Sequence, residues 1–427
     1  MPETSATVRR HHHTGGAMSP SATKRRLLPL LGPAFVAAIA YVDPGNVAAN
    51  ITAGARYGYV LIWVLVSANL AAMLIQYLSA KIGLVTATSF PRLLGQKLGR
   101  FPRLAYWVQA EVVAAATDVA EVIGGALALH LLFGIPLLWG GVIIGSASML
   151  HLILQGRGHQ RFFEATIIAL LLVITLGFLS GLLISHPDWS AVGAGLIPRF
   201  AGLDSVIVAA SMLGATVMPH AVYLHSSLVN DRHGSAETRD STQIHTLIRA
   251  TRWDIIWALG LAGIVNIGLL LLAASALQGI EGTDTIEGAH SAISMALGPW
   301  VGGIFAVGLL ASGLASTSVG AYAGSEIMKG LLHIKVPLLA RRALTLLPAL
   351  GILAVGVEPT WALVLSQVLL SFGIPFAIIP LVYLTAQKSV MGDYVNTRMT
   401  TAVACAVAVV IVALNIFLIA QIVVQGG

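Results

Sequence analysis

The stretch "AYVDPGNVAAN", Ala40–Asn50, places a carboxylate and a helix breaker inside an apolar segment, where Asp43 is the sole charged side chain between residues 27 and 55. Pro44 has no N–H, so in a continuous helix the carbonyl four residues earlier, on Ala40, loses its partner. In hydrocarbon such a break survives where it faces protein or a wet cavity. An acid at that depth typically marks an ion or proton pathway.

The composition predicts a polytopic membrane protein. The 427 residues are 57% hydrophobic and 10% charged, with a mean hydropathy of +0.86, whereas soluble domains are about a quarter charged. The single cysteine, Cys405, excludes an internal disulfide or a cysteine-based metal cluster. Residues 1–26 are basic and polar, include the histidine run "RRHHHTGG", and show no signal peptide. We expect them to form a disordered cytoplasmic tail.

Apolar windows long enough to cross about 30 Å of hydrocarbon recur along the rest of the chain. We count eleven, at residues 28–52, 58–80, 104–130, 136–155, 162–185, 203–229, 253–277, 299–328, 338–357, 361–385 and 400–423. The segments between them test this count through their charge. With alternate segments assigned to the cytoplasm, 22 of the 24 Lys and Arg fall on that side, and Arg56 and Arg199 fall on the other. We therefore predict a multi-pass protein of the cell membrane with a cytoplasmic N-terminus and an extracytoplasmic C-terminus.

A second break occurs in the sixth span, in "GATVMPHAVYLHSS", Gly214–Ser227. Pro219 frees the carbonyl of Ala215, again four residues earlier. Aligned on proline, "AYVDP" and "ATVMP" share Ala, Val and Pro, and Asp43 matches Met218. Each break lies in the first helix of a five-helix unit, and an odd number inverts the second unit. This arrangement is typical of inverted repeats with a substrate site at two discontinuous helices.

The two breaks together offer the Asp43 carboxylate, the Asn46 amide oxygen, the Met218 thioether and the carbonyls of Ala40 and Ala215. Oxygen ligands alone suit Mg²⁺ or Ca²⁺, whereas a thioether favours softer transition metals. A single carboxylate among neutral partners suits a carrier that must also release its metal. For Met218 the alternative is packing, because methionine fills gaps in cores.

At these residues the chain resembles the Nramp family of divalent-metal transporters. "DPGN" and "MPH" match that family's signature motifs, and the resemblance extends from about Leu30 to the end, through "EVVAAATDVAEVIGGA" and "VLSQVLLSFGIPF". It implies an all-α membrane protein with the LeuT-like fold, eleven transmembrane helices, and helices 1 and 6 unwound at mid-membrane. The implied domain, residues 27–427, comprises repeats at 27–200 and 201–398 and an eleventh helix at 399–427.

The resemblance also implies function. It points to proton-coupled import of Mn²⁺ or Fe²⁺ by alternating access, extending to Cd²⁺, Co²⁺ and Zn²⁺ and discriminating against Ca²⁺ and Mg²⁺. By this resemblance the metal ligands would be the five groups at the breaks: the side chains of Asp43, Asn46 and Met218 and the carbonyls of Ala40 and Ala215. We expect the metal and protons as substrates, the lipid bilayer as surroundings, no permanently bound cofactor and no nucleic acid. The sequence leaves the oligomeric state open, with a monomer among the options.

Three acids in the third span, Glu111, Asp118 and Glu121, suggest a proton route. Spacings of seven and three residues place them on one helix face, and acids in a membrane helix avoid lipid. A proton released from Asp43 on metal binding could leave along this face toward the cytoplasm. The alternative is a static hydrogen-bonded network.

Other polar residues add to this route. His220 follows Met218 by two residues, and histidine changes charge near physiological pH. Arg341 and Arg342 could offset Asp118 or Glu111, or serve as ordinary positive-inside anchors. The resemblance assigns a proton or polar-relay role to His220, Asp118, Glu121 and the arginine pair. His225 is more easily read as structural, and Gln367 could complete metal coordination, gate the pathway or form an interhelical hydrogen bond.

Three other function classes fit less well. A Na⁺-coupled amino-acid carrier conflicts with Asp43, since a fixed acid competes with a carboxylate substrate. A passive channel needs rings of similar residues, but the equivalent positions Asp43 and Met218 differ. An intramembrane enzyme is not supported, because neither an HExxH zinc motif nor a GxSxG nucleophile motif occurs in the sequence.

Overall fold

The computed structural model of the chain describes residues 32–155, 160–234, 241–332 and 337–425. The predicted tail at residues 1–26, with its histidine run, lies outside these ranges. Within them the regular structure is helical. In chain order the α-helices are α1 Pro33–Ala38, α2 Pro44–Tyr57, α3 Ile62–Thr86, α4 Phe90–Lys97, α5 Arg100–Phe133, α6 Leu137–Gln155, α7 Gln160–Leu182, α8 Trp189–Ala194, α9 Leu203–Thr216, α10 Pro219–His233, α11 Ser241–Ala276, α12 Ile286–Leu297, α13 Pro299–Leu332, α14 Leu338–Val355, α15 Pro359–Thr385, α16 Lys388–Met391 and α17 Arg398–Gln425.

The described helices accommodate all eleven predicted spans. Eight segments are long and apolar enough to cross a membrane, namely α3, α5, α7, α9 with α10, α11, α13, α15 and α17. The other three spans correspond to the broken helix α1–α2, to α6 and to α14. Two of these have a physical reason for a weaker apolar signal or a shorter length. The first is interrupted at Asp43, and α14 carries Arg341 and Arg342 near its start. The predicted all-α membrane fold is confirmed.

Four short helices, α4, α8, α12 and α16, were not predicted from apolar windows. They contain 4 to 12 residues and lie between spans, where they are too short to cross hydrocarbon. The start of α11 also differs, since it begins at Ser241 rather than residue 253. Counting apolar windows detects the part of a helix in lipid and misses a polar extension beyond it.

Small residues let the spanning helices approach closely around the two broken ones. α13 packs against both α5 and α7. A Cβ added to Gly177 of α7 would lie 2.8 Å from Cα of Gly308 on α13, and one added to Gly313 would lie 2.7 Å from Cα of Gly125 on α5. Backbone contacts of this kind replace the hydrophobic core of a soluble protein, because lipid is as apolar as the helix surface.

The two broken helices lie at the centre of this arrangement. α2 packs against α9 and α11, and α10 packs against α3 and α13. All residues of α2 from Pro44 to Ala55 are buried, as are those of α10 from Pro219 to Val229. Neither break therefore faces lipid, as the cost of bare backbone groups in hydrocarbon requires.

Candidate metal site

The first break separates α1 from α2. α1 ends at Ala38, a 3-10 turn covers Ile39–Val42, and Asp43 is extended, with φ −70° and ψ 167°. Asp43 caps α2, because its Oδ1 accepts hydrogen bonds from the backbone N–H of Asn46 at 2.8 Å and from the Asn46 side-chain amide at 2.7 Å. Asp43 is 0% exposed. One carboxylate oxygen of Asp43 thus caps α2, and the other has no hydrogen-bond partner among the described residues.

The carbonyls exposed by this break have side-chain partners on other helices. The Asn266 amide on α11 donates to the Tyr41 carbonyl at 2.6 Å, and the Ser312 hydroxyl on α13 donates to the Val42 carbonyl at 2.6 Å. Asn50 donates in turn to Oδ1 of Asn266 at 3.0 Å. These partners compensate for the lost helical bonds. Sequence reasoning missed them, although an amide inside an apolar span is a signal that could have flagged Asn50 and Asn266.

The second break separates α9 from α10 at Val217 and Met218. Pro219 opens α10, and Met218 stands at the N-cap position, 1% exposed. The carbonyl of Ala215, which the proline frees, accepts a hydrogen bond from the Asn46 side chain at 2.8 Å. This bond joins the two breaks directly. Hydrogen bonds therefore bring Asp43, Asn46 and Ala215 together.

The two remaining predicted ligands lie on the same broken segments. Ala40 is buried in the 3-10 turn that precedes Asp43. Met218 follows the last residues of α9, three positions after Ala215. Their roles as ligands stay predictions.

Gln367 of α15 borders the site. A Cβ added to Gly45 would meet the Gln367 side chain, and one added to Gly214 would meet the Gln367 carbonyl. Glycine at both positions allows α15 to touch each broken helix. The Gln367 amide donates to the hydroxyl of its neighbour Ser366 at 3.1 Å, and the whole residue is 0% exposed.

Three buried oxygens at this point have no hydrogen-bond partner among the described residues, namely Oδ2 of Asp43, Oδ1 of Asn46 and Oε1 of Gln367. Buried polar atoms are normally satisfied, so such a set needs an explanation. All three are acceptors, and unprotonated oxygens are what a hard or borderline cation requires. A cation bound at this point would satisfy these oxygens.

The third-span acids lie on α5, and this helix passes next to the first break. Gly124 of α5 lies against Pro44, since a Cβ there would overlap the proline ring. One turn earlier, both carboxylate oxygens of Glu121 are buried without a hydrogen-bond partner among the described residues, close to Gly320 of α13. Glu121 is the acid nearest in sequence to this contact.

The other two acids are paired with the arginines of α14. Arg342 lies 2.7 Å from Asp118, and Arg341 lies 2.8 Å from Glu111. Arg342 also donates to the Ser148 hydroxyl at 3.0 Å. The sequence suggested that these arginines offset the acids but left the pairing open. The structure assigns each arginine to one acid, while the proton role of the four residues stays a prediction.

The two predicted histidines have different surroundings. Nδ1 of His220 lies 3.3 Å from the hydroxyl of Thr117 on α5, and His220 is 1% exposed. His225 contacts Oε1 of Gln76 through Nδ1 at 2.8 Å, and the Gln76 amide donates to the Tyr41 hydroxyl at 2.5 Å. His220 therefore faces the helix of the acids, whereas His225 supports the 3-10 turn through Gln76.

The family model described as natural resistance-associated macrophage protein-like, or Nramp, matches residues 34–421. The chain belongs to the Nramp family. Curated relatives in this family support the assignment over nearly the full length. The divalent metal cation transporter MntH of Mycobacterium tuberculosis strain H37Rv is 58% identical over 390 residues, which cover 91% of each chain. The MntH protein of Bacillus subtilis strain 168 is 45% identical over 398 residues, 92% of each chain.

Solved structures agree with the Nramp assignment. The manganese transporter of Eremococcus coleocola, in complex with an aromatic bis-isothiourea substituted compound, superposes with a TM-score of 0.83 at 32% identity, over 93% of this chain and 87% of that one. MhsT in complex with L-phenylalanine superposes with a TM-score of 0.57 at 14% identity, over 90% and 98%. The second likeness concerns the fold alone and indicates a LeuT-like architecture. This Nramp chain is thus a membrane protein of a divalent metal cation transporter family, and its named relatives are transporters rather than enzymes.

Proposed function

We propose that the protein imports Mn²⁺, and Fe²⁺ by the same site, together with protons and by alternating access. The observation that carries this proposal is the Asn46 side chain, which bridges from Asp43 at one helix break to the Ala215 carbonyl at the other. The bridge leaves Oδ2 of Asp43 and Oδ1 of Asn46 free in a buried position. A cation there would contact both halves of the molecule at once, which is what a carrier with two inverted repeats requires.

We propose that Met218 provides selectivity for transition metals. Its sulfur would join the oxygens of Asp43, Asn46, Ala40 and Ala215, and a thioether ligand favours softer ions over Ca²⁺ and Mg²⁺. Cd²⁺, Co²⁺ and Zn²⁺ should then compete with Mn²⁺. The manganese transporters among the relatives support Mn²⁺ as the substrate of this chain too.

We propose that Asp43 couples the metal to protons. A bound cation stabilises the carboxylate form, so a proton held by Asp43 would be released as the metal arrives. Gly124 places α5 against Pro44, and Glu121 lies one turn away on the same helix. Glu121, Asp118 and Glu111 would then relay the proton toward the cytoplasm, with Arg342 and Arg341 balancing the last two acids. His220 provides a second titratable group beside α5.

The geometry of α1 supports alternating access. It contains six residues, Pro33–Ala38, and is joined to α2 through the 3-10 turn and Asp43. Its start is held by Asp254 of α11, whose carboxylate accepts hydrogen bonds from the backbone N–H groups of Gly32 at 3.1 Å and Ala34 at 2.9 Å. The break separates this short half-helix from α2, so that it can move independently of α2, and Asp254 would hold it in the arrangement described.

We also propose the domain organisation and orientation expected from the sequence. The repeats are residues 27–200 and 201–398, followed by a helix at 399–427, with the N-terminus in the cytoplasm. The free carboxylate oxygen of Asp43 disfavours the amino-acid carrier as an alternative, because it would repel a carboxylate substrate.

Uptake by proteoliposomes tests the function. Wild-type protein should accumulate Mn²⁺ against its own concentration gradient when the outside is more acidic, and acidify the lumen as it does so. Fe²⁺, Cd²⁺, Co²⁺ and Zn²⁺ should compete, whereas Ca²⁺ and Mg²⁺ should not. Uptake that follows the Mn²⁺ gradient alone would indicate a channel, and accumulation without proton flux would contradict the proposed coupling.

A further inference from the structure

Two cations from different helices lie against one aromatic ring. The ammonium of Lys81 is 5.8 Å from the centroid of the Tyr77 ring, and Cζ of the Arg252 guanidinium is 5.5 Å from the same centroid. Tyr77 and Lys81 are four residues apart on α3, and Arg252 lies on α11. We call Tyr77, Lys81 and Arg252 the Tyr77 cluster. Each cation–ring contact is favourable, but the two positive charges repel each other.

Lys81 is buried without a charged partner among the described residues. It is 7% exposed, and its ammonium donates to the neutral Oδ1 of Asn396 at 2.9 Å. The Asn396 amide is itself committed, since it donates to the Thr385 hydroxyl at 2.8 Å. An ammonium has three donors, and a buried charge is costly unless an opposite charge accompanies it. The ion pairs of the described residues include neither Lys81 nor Arg252. Within the described part of the chain, the Tyr77 cluster therefore has no ion pair with a negative group.

The position of the cluster indicates where such a group would come from. Lys81 directly follows the second predicted span and Arg252 directly precedes the seventh, both at the edge assigned to the cytoplasm. Arg252 is exposed, and the next residue, Trp253, is 47% exposed, with Trp257 one turn further at 64%. Exposed tryptophans on spanning helices lie at the level of lipid headgroups. The exposed Arg252 of the cluster is therefore expected at the level of the headgroup layer of the bilayer.

We propose that the Tyr77 cluster binds the phosphate of an anionic phospholipid in the cytoplasmic leaflet. The phosphate would accept hydrogen bonds from the Lys81 ammonium and the Arg252 guanidinium, and its negative charge would relieve their repulsion. Basic pockets between spanning helices on the cytoplasmic side have the right chemistry for such headgroups. The exposed tryptophans next to Arg252 on the same helix favour a lipid over a free phosphate ion.

Native mass spectrometry of the full-length protein in detergent tests this site. Titrated with phosphatidylglycerol and, separately, phosphatidylcholine, the wild type should bind phosphatidylglycerol more tightly. Arg252→Gln should weaken phosphatidylglycerol binding about fivefold, the change expected for one interfacial cation. Arg252→Lys, which keeps the charge, should restore it. Arg100→Gln removes an exposed arginine at the start of α5 and serves as the matched control, with affinity unchanged.

Thermal unfolding tests the buried cation. Phosphatidylglycerol should raise the Tm of the wild type, and this increase should be smaller for Lys81→Gln. If Lys81→Gln does not fold, the exposed Arg252 variants decide the outcome. Three results would overturn the proposal: phosphatidylcholine binding as tightly as phosphatidylglycerol, Arg100→Gln losing as much affinity as Arg252→Gln, or inorganic phosphate stabilising the protein as well as the lipid.

Discussion

At the scale of one residue, the Asp43 carboxylate serves both the helix break before α2 and the candidate metal site. Its Oδ1 accepts two hydrogen bonds from Asn46 and so initiates α2, while Oδ2 is free to face a cation. Because the capping bonds orient the carboxylate, Asp43 needs no further side chain to hold it. The same asparagine reaches Ala215, so that two residues connect the halves of the site.

Met218 allows a prediction about selectivity. Met218→Ala removes the sulfur and leaves oxygen ligands, which do not favour soft ions over hard ones. We expect Cd²⁺ uptake to fall relative to Ca²⁺ uptake by several-fold, while Mn²⁺ uptake continues. Met149→Ala, a methionine of α6 away from the breaks, is the control. An unchanged Cd²⁺ to Ca²⁺ ratio in Met218→Ala would mean that the sulfur is a packing group.

The candidate site could be proposed from sequence because proline removes a backbone donor wherever it occurs. That rule points to the carbonyls of Ala40 and Ala215 without any knowledge of the fold, and Asp43 and Met218 stand directly before the two prolines. The supporting partners Asn266 and Ser312 could not be assigned in this way. A polar residue in an apolar span indicates that it faces protein, but its partner depends on which helices pack together.

At the scale of elements, α5 and α14 form a pair of helices joined by buried charges. Arg342 is 0% exposed and Asp118 is 1% exposed, at 2.7 Å from each other. Both charges are removed from water, and a buried charge is costly without its partner. The second pair, Arg341 with Glu111, is partly accessible.

Breaking the buried pair should be strongly destabilising. Arg342→Gln leaves Asp118 without its counter-charge, and we expect unfolding in detergent to be easier by about 3–5 kcal/mol. The control is Lys329→Gln, which breaks the partly exposed pair with Glu326 and should cost under about 1 kcal/mol. Equal effects of the two changes in a denaturant titration would show that the Arg342–Asp118 pair contributes no more than a surface pair.

The close approach of α7 and α13 makes a second prediction at this scale. In Gly177→Ala the new Cβ would lie 2.8 Å from Cα of Gly308, so the helices must separate, at about 1–3 kcal/mol. Gly351→Ala in α14 meets nothing within 4 Å and should stabilise by about 0.5–1 kcal/mol. The two changes should therefore shift Tm in opposite directions. A rise in both would indicate that the α7–α13 contact is not tight.

Spanning helices were predictable because hydrocarbon imposes a length and an apolar composition. The pairing of Arg341 with Glu111 and of Arg342 with Asp118 was not, since adjacent arginines at a helix start are within reach of either acid. The polar first three turns of α11, residues 241–252, were missed for a related reason. The helix continues into polar residues before the apolar window begins, and a count of apolar residues detects only the part of a helix that lies in lipid.

At the scale of the whole molecule, the basic residues predict the orientation of the chain. Single cysteines can be introduced at two exposed acidic residues in a Cys405→Ala background, which removes the native cysteine. Glu281 lies in a loop on the side assigned to the outside, and Asp393 lies on the side assigned to the cytoplasm. A membrane-impermeant maleimide should label Glu281→Cys in intact cells and Asp393→Cys after permeabilisation. The reverse pattern would invert the proposed orientation.

The whole molecule also explains why the equivalent positions Asp43 and Met218 differ. Under the proposed function, two inverted repeats would bring the breaks together, and the difference between them would give the site one hard and one soft ligand. The carboxylate would then provide charge and the coupling to protons, and the sulfur would provide preference among metals. A carrier built in this way requires both breaks in every transport cycle.

The most direct test of this account is Mn²⁺ transport by Asp43→Asn, a variant of nearly the same size without the carboxylate charge. In proteoliposomes with a pH gradient, we expect Mn²⁺ uptake to fall at least about 10–100-fold, since even the loss of an outer-shell partner can weaken a metal site that much. Mn²⁺-driven acidification of the lumen should disappear with it. Wild-type rates of Mn²⁺ uptake and proton flux in Asp43→Asn would contradict the central claim.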